Sequence, residues 1–170
     1  TADALSGVDM QSGTFIQTAG GNVRIVAGTE GDILLARVDA ATGAVSLVAD
    51  GSILDNNATS GVTAIGVNQL TLADASGLVV GDEIILQETN LTSQLFTITA
   101  ISGNVLTLSA TVTSSFTTAA VVTAVNVRAA TLRMVADANS DQAGTIGTAD
   151  NLNATPDINR FAIDTVVETL

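Results

Sequence analysis

Two stretches of this chain spell the same alternation of apolar and polar residues 22 positions apart. Gly21-Asn22-Val23-Arg24-Ile25-Val26-Ala27-Gly28 aligns on Gly43-Ala44-Val45-Ser46-Leu47-Val48-Ala49-Asp50, and a shorter apolar word follows each, Gly31-Asp32-Ile33-Leu34 and Gly51-Ser52-Ile53-Leu54. Alternation at period two marks a strand with one buried face. A strand motif that returns after about 22 residues suits one coil of a β-solenoid, in which each coil lays its inward Val, Ile and Leu on those of the coil before. A further copy, Thr131-Leu132-Arg133-Met134-Val135-Ala136-Asp137, is followed by Gly144-Thr145-Ile146-Gly147. The alignment predicts that Val45, Leu47, Ile53, Leu132 and Met134 face inward.

That last copy arrives late. If the coil after Leu54 resumes near Arg128, residues 59–126 are an insertion between solenoid coils at 1–58 and 127–170. The insertion has its own wording: Val67-Asn68-Gln69-Leu70-Thr71-Leu72, then Leu78 to Ile85 broken by Gly81-Asp82, then Phe96 to Ile101 and Val105 to Leu108 joined by Ser102-Gly103-Asn104. Tight turns between alternating strands predict a small antiparallel β-barrel or sandwich. The expected fold is therefore all-β: β-solenoid coils carrying an inserted small β-domain. Composition agrees, with fifteen Gly punctuating a chain rich in Val, Ile and Thr, and with only four Phe and no Trp or Tyr among its 46% apolar residues. Stiff β-branched side chains suit pleated strands and make thin, layered cores.

Charge removes several function classes. The formal net charge is -12 and the five basic residues, Arg24, Arg37, Arg128, Arg133 and Arg160, are scattered among carboxylates. A phosphate backbone needs clustered cations, so nucleic acid is excluded as a partner, and anionic membrane surfaces are disfavoured for the same reason. No stretch reaches the ~18 apolar residues of a membrane span, so no membrane insertion is expected. Cysteine is absent, which leaves disulfides and thiolate metal sites out. The chain starts at Thr1, as expected of a mature or excised segment.

The residue inventory also constrains chemistry. Without His, Cys, Lys or Tyr the chain lacks the usual general base, thiol, amine and phenol. Carboxylate pairs remain, and Glu30 with Asp32 or Asp82 with Glu83 could in principle serve a polysaccharide-cleaving solenoid. Such sites add aromatic platforms that four Phe supply poorly, so these acids are expected in turns and on solvated faces, and no enzyme and no cofactor are expected. The one metal candidate is Asp137-Ala138-Asn139-Ser140-Asp141, whose Asp137, Asn139 and Asp141 have the alternate spacing that opens a calcium loop. Gln142 then stands where the sharp-turn Gly belongs and Thr148 where a bidentate Glu would be, so a polar loop bulging from the coil is the competing reading. Asp50, Asp55, Asn56 and Asn57 form a comparable corner. Three Asn-x-Thr triplets, at Asn57, Asn90 and Asn153, are what chance gives in a sequence so rich in Asn and Thr. The missing lysine rules out Lys–Asn isopeptide cross-links, so cohesion must come from ladders and packing.

The phrases Val48-Ala49-Asp50-Gly51-Ser52-Ile53-Leu54-Asp55, Ala130-Thr131-Leu132-Arg133-Met134-Val135-Ala136-Asp137, Gly147-Thr148-Ala149-Asp150-Asn151 and Ile163-Asp164-Thr165-Val166-Val167-Glu168-Thr169-Leu170 resemble the coils of large haemagglutinin-like adhesins and related giant surface proteins of Gram-negative bacteria. The resemblance covers about residues 20–58 and 128–170. The insertion departs from it and resembles instead small β-modules of bacterial surface and phage tail proteins. The resemblance implies an exported, repetitive, elongated scaffold at the bacterial cell surface that acts by structure or adhesion; it does not imply a receptor and maps no family binding motif onto residues of this chain, so a host or neighbouring-cell surface receptor is a candidate partner only. A phage tail fibre component is the alternative and a carbohydrate-active solenoid enzyme the second. No capping segment is evident at either end of the coils, so copies of the chain or neighbouring repeats are expected to stack end to end.

Overall fold

The computed structural model describes residues 7–57, 59–88, 92–141, 144–147 and 163–169. Among them there are strands and no helix: β1 (Val8–Asp9), β2 (Phe15–Gln17), β3 (Val23–Ala27), β4 (Ile33–Leu35), β5 (Arg37–Asp39), β6 (Ala44–Ala49), β7 (Ile53–Asp55), β8 (Thr59–Ile65), β9 (Gln69–Leu72), β10 (Glu83–Gln87), β11 (Ser93–Ser102), β12 (Val105–Leu108), β13 (Val121–Ala124), β14 (Val127–Val135) and β15 (Thr165–Thr169). The chain divides into two compact units, one built from residues 1–57, 126–149 and 161–170, the other from 58–125 and 150–160.

Among the described residues every strand pairing of the first unit is parallel. One sheet runs β1-β4-β7, with Val8 opposite Ile33 and Ile33 opposite Ile53, and an isolated parallel bridge carries it on from Ile53 to Ile146. The other sheet follows the order β2-β5-β14-β6-β3, and β15 also pairs with β14. Its registers repeat the sequence alignment: Val23 opposite Val45 and Ile25 opposite Leu47, then Val45 opposite Leu132 and Leu47 opposite Met134. Residues at equal positions of the repeat therefore stack in columns, because in-register parallel pairing places like positions about 4.8 Å apart. Alternate columns are buried. Val45, Leu47, Ala49, Ile33, Leu35, Val38 and Ile53 form the core with Val127 and Ala129, and Met134 packs against it half-buried.

Close stacking dictates what the corners can contain. A β-carbon at Gly43 would overlap the carbonyl of Gly21 in the turn next to it, so only glycine fits there. Gly43 also donates its N–H to the Ala40 carbonyl at 2.7 Å, closing a tight turn into β6.

The second unit is a closed antiparallel barrel in the order β10-β11-β12-β9-β8-β13, with β13 returning to pair with β10. Register shifts between Val62 and Ala64 and between Ile98 and Ala100 bend β8 and β11 around the closure. Leu70, Ile84, Leu86, Phe96, Ile98 and Leu106 are fully buried inside it. A barrel of six strands filled in this way has a side-chain core.

Leu47 is fully buried in the middle of its column, whereas Val26 is 43% exposed on the opposite face of the same kind of strand. Leu47→Ala should therefore cost about 2–5 kcal/mol, and Val26→Ala should stay within about 0.5 kcal/mol. Urea denaturation of the two variants checks this, and equal costs would mean that the columns are not the core.

Candidate functional site

The place where the chain leaves the parallel unit and returns to it is closed by a network of side-chain hydrogen bonds. One tier down, β4 passes to β5 through a single residue, Ala36. In the next tier Asp55 stands opposite Leu35 and Val127 opposite Val38, and between them the chain makes its excursion from residue 58 to residue 125. Asp55, Asn56, Asn57 and Asn126 replace the simple Leu35-Ala36-Arg37 corner.

Asn126 holds this corner closed and is 0% exposed. Its side-chain nitrogen donates to the carbonyls of Leu35 (3.1 Å) and Ala36 (3.0 Å) and to Asp55 Oδ1 (2.7 Å). Its side-chain oxygen accepts the N–H of Asp164 at 2.9 Å. Its backbone is equally engaged: Asn126 N–H donates to the Asp164 carbonyl (2.9 Å) and its carbonyl accepts from Val38 (2.7 Å). Buried amides are tolerated when all their groups are paired, and here each is. Asp55 Oδ1 also accepts the N–H of Asn57 at 2.8 Å, and Asn57 Nδ2 donates to the Ala36 carbonyl at 3.2 Å. Asn56 Nδ2 donates to the Met10 carbonyl at 2.7 Å. The two ends of the excursion therefore meet on one carboxylate oxygen.

Two carboxyl groups share the site. Burial raises the pKa of Asp55, while the hydrogen bonds from Asn126 and Asn57 work against that rise. Asp164 is pushed up to about 7, first by burial and then by the charge of Asp55. Desolvation and a like charge both favour the neutral acid.

The acids singled out in the sequence lie elsewhere and do other work. Glu30 follows Thr29 in a turn where both have positive φ, 60° and 52°. Asp32 Oδ1 accepts the N–H of Ser52 at 2.6 Å. With Asp9 and Glu30, Asp32 lines a shallow groove that Gly7, Val8 and Leu34 complete. Asp82 is buried and accepts the N–H of Val79 at 2.9 Å, which makes it a turn residue of the barrel. In the calcium candidate, the Asn139 side-chain oxygen accepts the Asp141 N–H (3.3 Å) and its nitrogen donates to Asp141 Oδ2 (3.0 Å). Asp137 has a φ of 53° and donates its N–H to the Gly51 carbonyl at 3.0 Å. Asn139 and Asp141 thus form an Asx turn, and Gly144 lies so close to Gly51 and Asp137 that a β-carbon would clash. Among the described residues no group of three or more His, Cys, Asp or Glu could hold a metal ion. Gln142 and Thr148 lie outside the described residues.

Neither Asn126 nor Asp164 stood out in the sequence. Each had a usable signal: Asn126 is a polar residue inside the apolar run Val121 to Val127, and Asp164 is a charge inside Phe161 to Val167.

No family model matches the chain, and no curated protein matches it. Among solved structures it is similar to the gp54 tailspike of Acinetobacter baumannii bacteriophage AP22, determined in complex with A. baumannii capsular saccharide, at a TM-score of 0.36 and 12% identity over 76% of this chain and 25% of that one. It is also similar to the tailspike protein gp49 from Pseudomonas phage LKA1, at a TM-score of 0.36 and 14% identity over 71% of this chain and 26% of that one. The chain spans about a quarter of the length of both tailspikes.

Two outcomes follow from the corner. Asn126→Ala strips Asp55 and the N–H of Asp164 of buried partners and should lower stability by about 3 kcal/mol, read from the urea midpoint. Joining Asn57 directly to Asn126 should leave a chain with a β-type circular dichroism spectrum and a single cooperative melt, because the two residues already bond to the same oxygen; a chain that no longer folds would show that the excursion is needed by the parallel unit.

Proposed function

We propose that this chain is a structural segment of an extracellular β-solenoid fibre, in which the parallel unit is a spacer and the inserted barrel an interaction module, and that it works without catalysis. The observation that carries this reading is the run of in-register parallel columns, Val23 to Val45 to Leu132 and Ile25 to Leu47 to Met134. A coil of this kind contacts only its neighbours, so length is gained by adding coils. The outer strands of the larger sheet, β2 and β3, each have a partner on one side among the described residues. Phe15 and Ile16 on β2 are 49% and 36% exposed, an apolar edge of the type that another strand covers. The non-catalytic part of the reading is supported by the acids themselves, since Asp32 and Asp82 are occupied with backbone N–H groups.

The reading takes two forms, a repeat of a bacterial surface adhesin and a component of a phage tail. Both tailspikes named above are proteins of the second form, and a likeness at a TM-score of 0.36 adds no weight to it. Assembly separates the two. The column Arg24, Ser46, Arg133 has an arginine at each end among the described residues, so an identical copy stacked in register on it would lay one guanidinium on the other. With a net charge of -12 repelling copies as well, self-association should strengthen as salt screens it. Sedimentation between about 0.05 and 0.5 M salt, with electron microscopy of the products, tests this. Single-start rods that lengthen with salt support the surface-protein form and intertwined trimers the tail form. A compact monomer at every salt and protein concentration would overturn the fibre reading.

A further inference from the structure

We propose that the Asp55, Asn126 and Asp164 corner is a proton-operated latch for the last strand: with a proton on Asp164, β15 stays docked on β14, and loss of that proton loosens it. The latch depends on the geometry of the corner and stands whichever assembly the chain belongs to.

Among the described residues β15 pairs with β14 alone, from Val127 opposite Thr165 to Thr131 opposite Thr169. Its attachment begins at Asp164. The Asp164 N–H goes to the Asn126 side chain, and its carbonyl accepts from both Asn126 (2.9 Å) and Val127 (3.1 Å). The same Asn126 side chain donates to Asp55. One buried amide thus ties the backbone of the last strand to the carboxylate of Asp55, and the Asp164 carboxyl is brought half-buried to the neighbourhood of that charge.

Two carboxylates in such a place do not both ionise at low cost, and they titrate as a pair. Asp55 has two donors, Asn126 Nδ2 and Asn57 N–H, that favour its charged form. The proton therefore resides on Asp164. The other charged groups on the elements that meet here are Arg37 and Asp39 on β5, Arg128 and Arg133 on β14, Asp9 on β1 and Glu168 on β15, and Arg133 lies beyond Thr131, where the pairing with β15 ends. Arg37 and Arg128 are both engaged by Asp39, the latter at 3.5 Å, Glu168 is exposed, and Asp55 is the charge that bears on Asp164. A carboxyl whose folded-state pKa lies above its unfolded value contributes stability that is complete below the unfolded value and is lost as pH rises through the folded one. With 3.8 as the ordinary value and about 7 in the corner, docking of β15 weakens between those limits and is weakest above pH 7.

Hydrogen exchange of the full chain tests the latch. Corrected for the intrinsic pH dependence of exchange, protection of the β15 amides should fall at least about tenfold from pH 5 to pH 8, the full shift being discounted because Asp164 is partly solvated. The amides of Ile25 and Leu47, in the middle of the sheet, should hold. Asp164→Asn should flatten the β15 profile at the protected level. If that variant does not fold, carbon-13 titration of the wild-type carboxyls still decides, with an Asp164 midpoint near 7 that drops in Asp55→Asn. A midpoint near 4, a β15 profile flat in the wild type, or the same fall in Asp164→Asn would overturn the proposal.

Discussion

In-register parallel pairing is the constraint from which the rest of the first unit follows. Once Val23 must lie beside Val45 and Val45 beside Leu132, every inward position is fixed along a column and a polar residue there would be buried without a partner. Freedom survives on the outward face, where Arg24, Ser46 and Arg133 share a column, and at the corners. The corners in turn are crowded, because backbone stacks on backbone, and Gly43 and Gly144 occupy points where any β-carbon would collide with the neighbouring turn. Extra chain can enter only where a corner can be closed behind it. The excursion from residue 58 to residue 125 does enter at a corner, and a fully bonded asparagine closes it.

The ladders were legible in the sequence because they rest on periodicity, the strongest local signal there is. The alignment of Val23 to Ala27 on Val45 to Ala49 is the register found in the sheet, and the late copy at Leu132 to Val135 falls on the same column. Of the residues expected to face inward, Val45, Leu47, Ile53 and Leu132 are buried and Met134 is half-buried. The antiparallel barrel was legible in its middle, where turns join alternating strands. Its closure was not, since β8 and β13 are separated by most of the insertion and nothing local says that they pair. The first tier was missed as well: β1 and β2 are two and three residues long and have no clean alternation. Asn126 shows in the sequence only as a polar break in the apolar run Val121 to Val127, and its partners do not show at all. A side chain that bonds to residues 91 positions away and 38 positions away leaves no local trace of which groups it bonds.

The acidic composition has a structural reading that the charge count alone does not give. Asp32, Asp39, Asp50, Asp55, Asp74 and Asp82 each accept a backbone N–H, from Ser52, Ala41, Thr29, Asn57, Ser76 and Val79 respectively. A strand-rich chain with short turns has many N–H groups left over where ladders end, and a short carboxylate satisfies one at little conformational cost. Much of the negative charge is therefore the by-product of turning corners. Asp74 shows the electrostatic side of the same device, its pKa lowered by the backbone and side-chain hydrogen bonds of Ser76.

Asp164 breaks this pattern. Its backbone, where the other six aspartates use their carboxylates, makes the corner contacts, so its charge is brought near Asp55 without a role in closing a turn. An asparagine or serine would serve the same backbone bonds with no like-charge cost, and the ladder of β15 on β14 makes no demand for an acid at that position. A carboxyl that structure does not need, held where ionisation is disfavoured, ties the hold on a terminal strand to pH. It stands at the start of a strand that has one partner among the described residues, not in the middle of the sheet, where Leu47 and its neighbours are held from both sides and a single proton could move little.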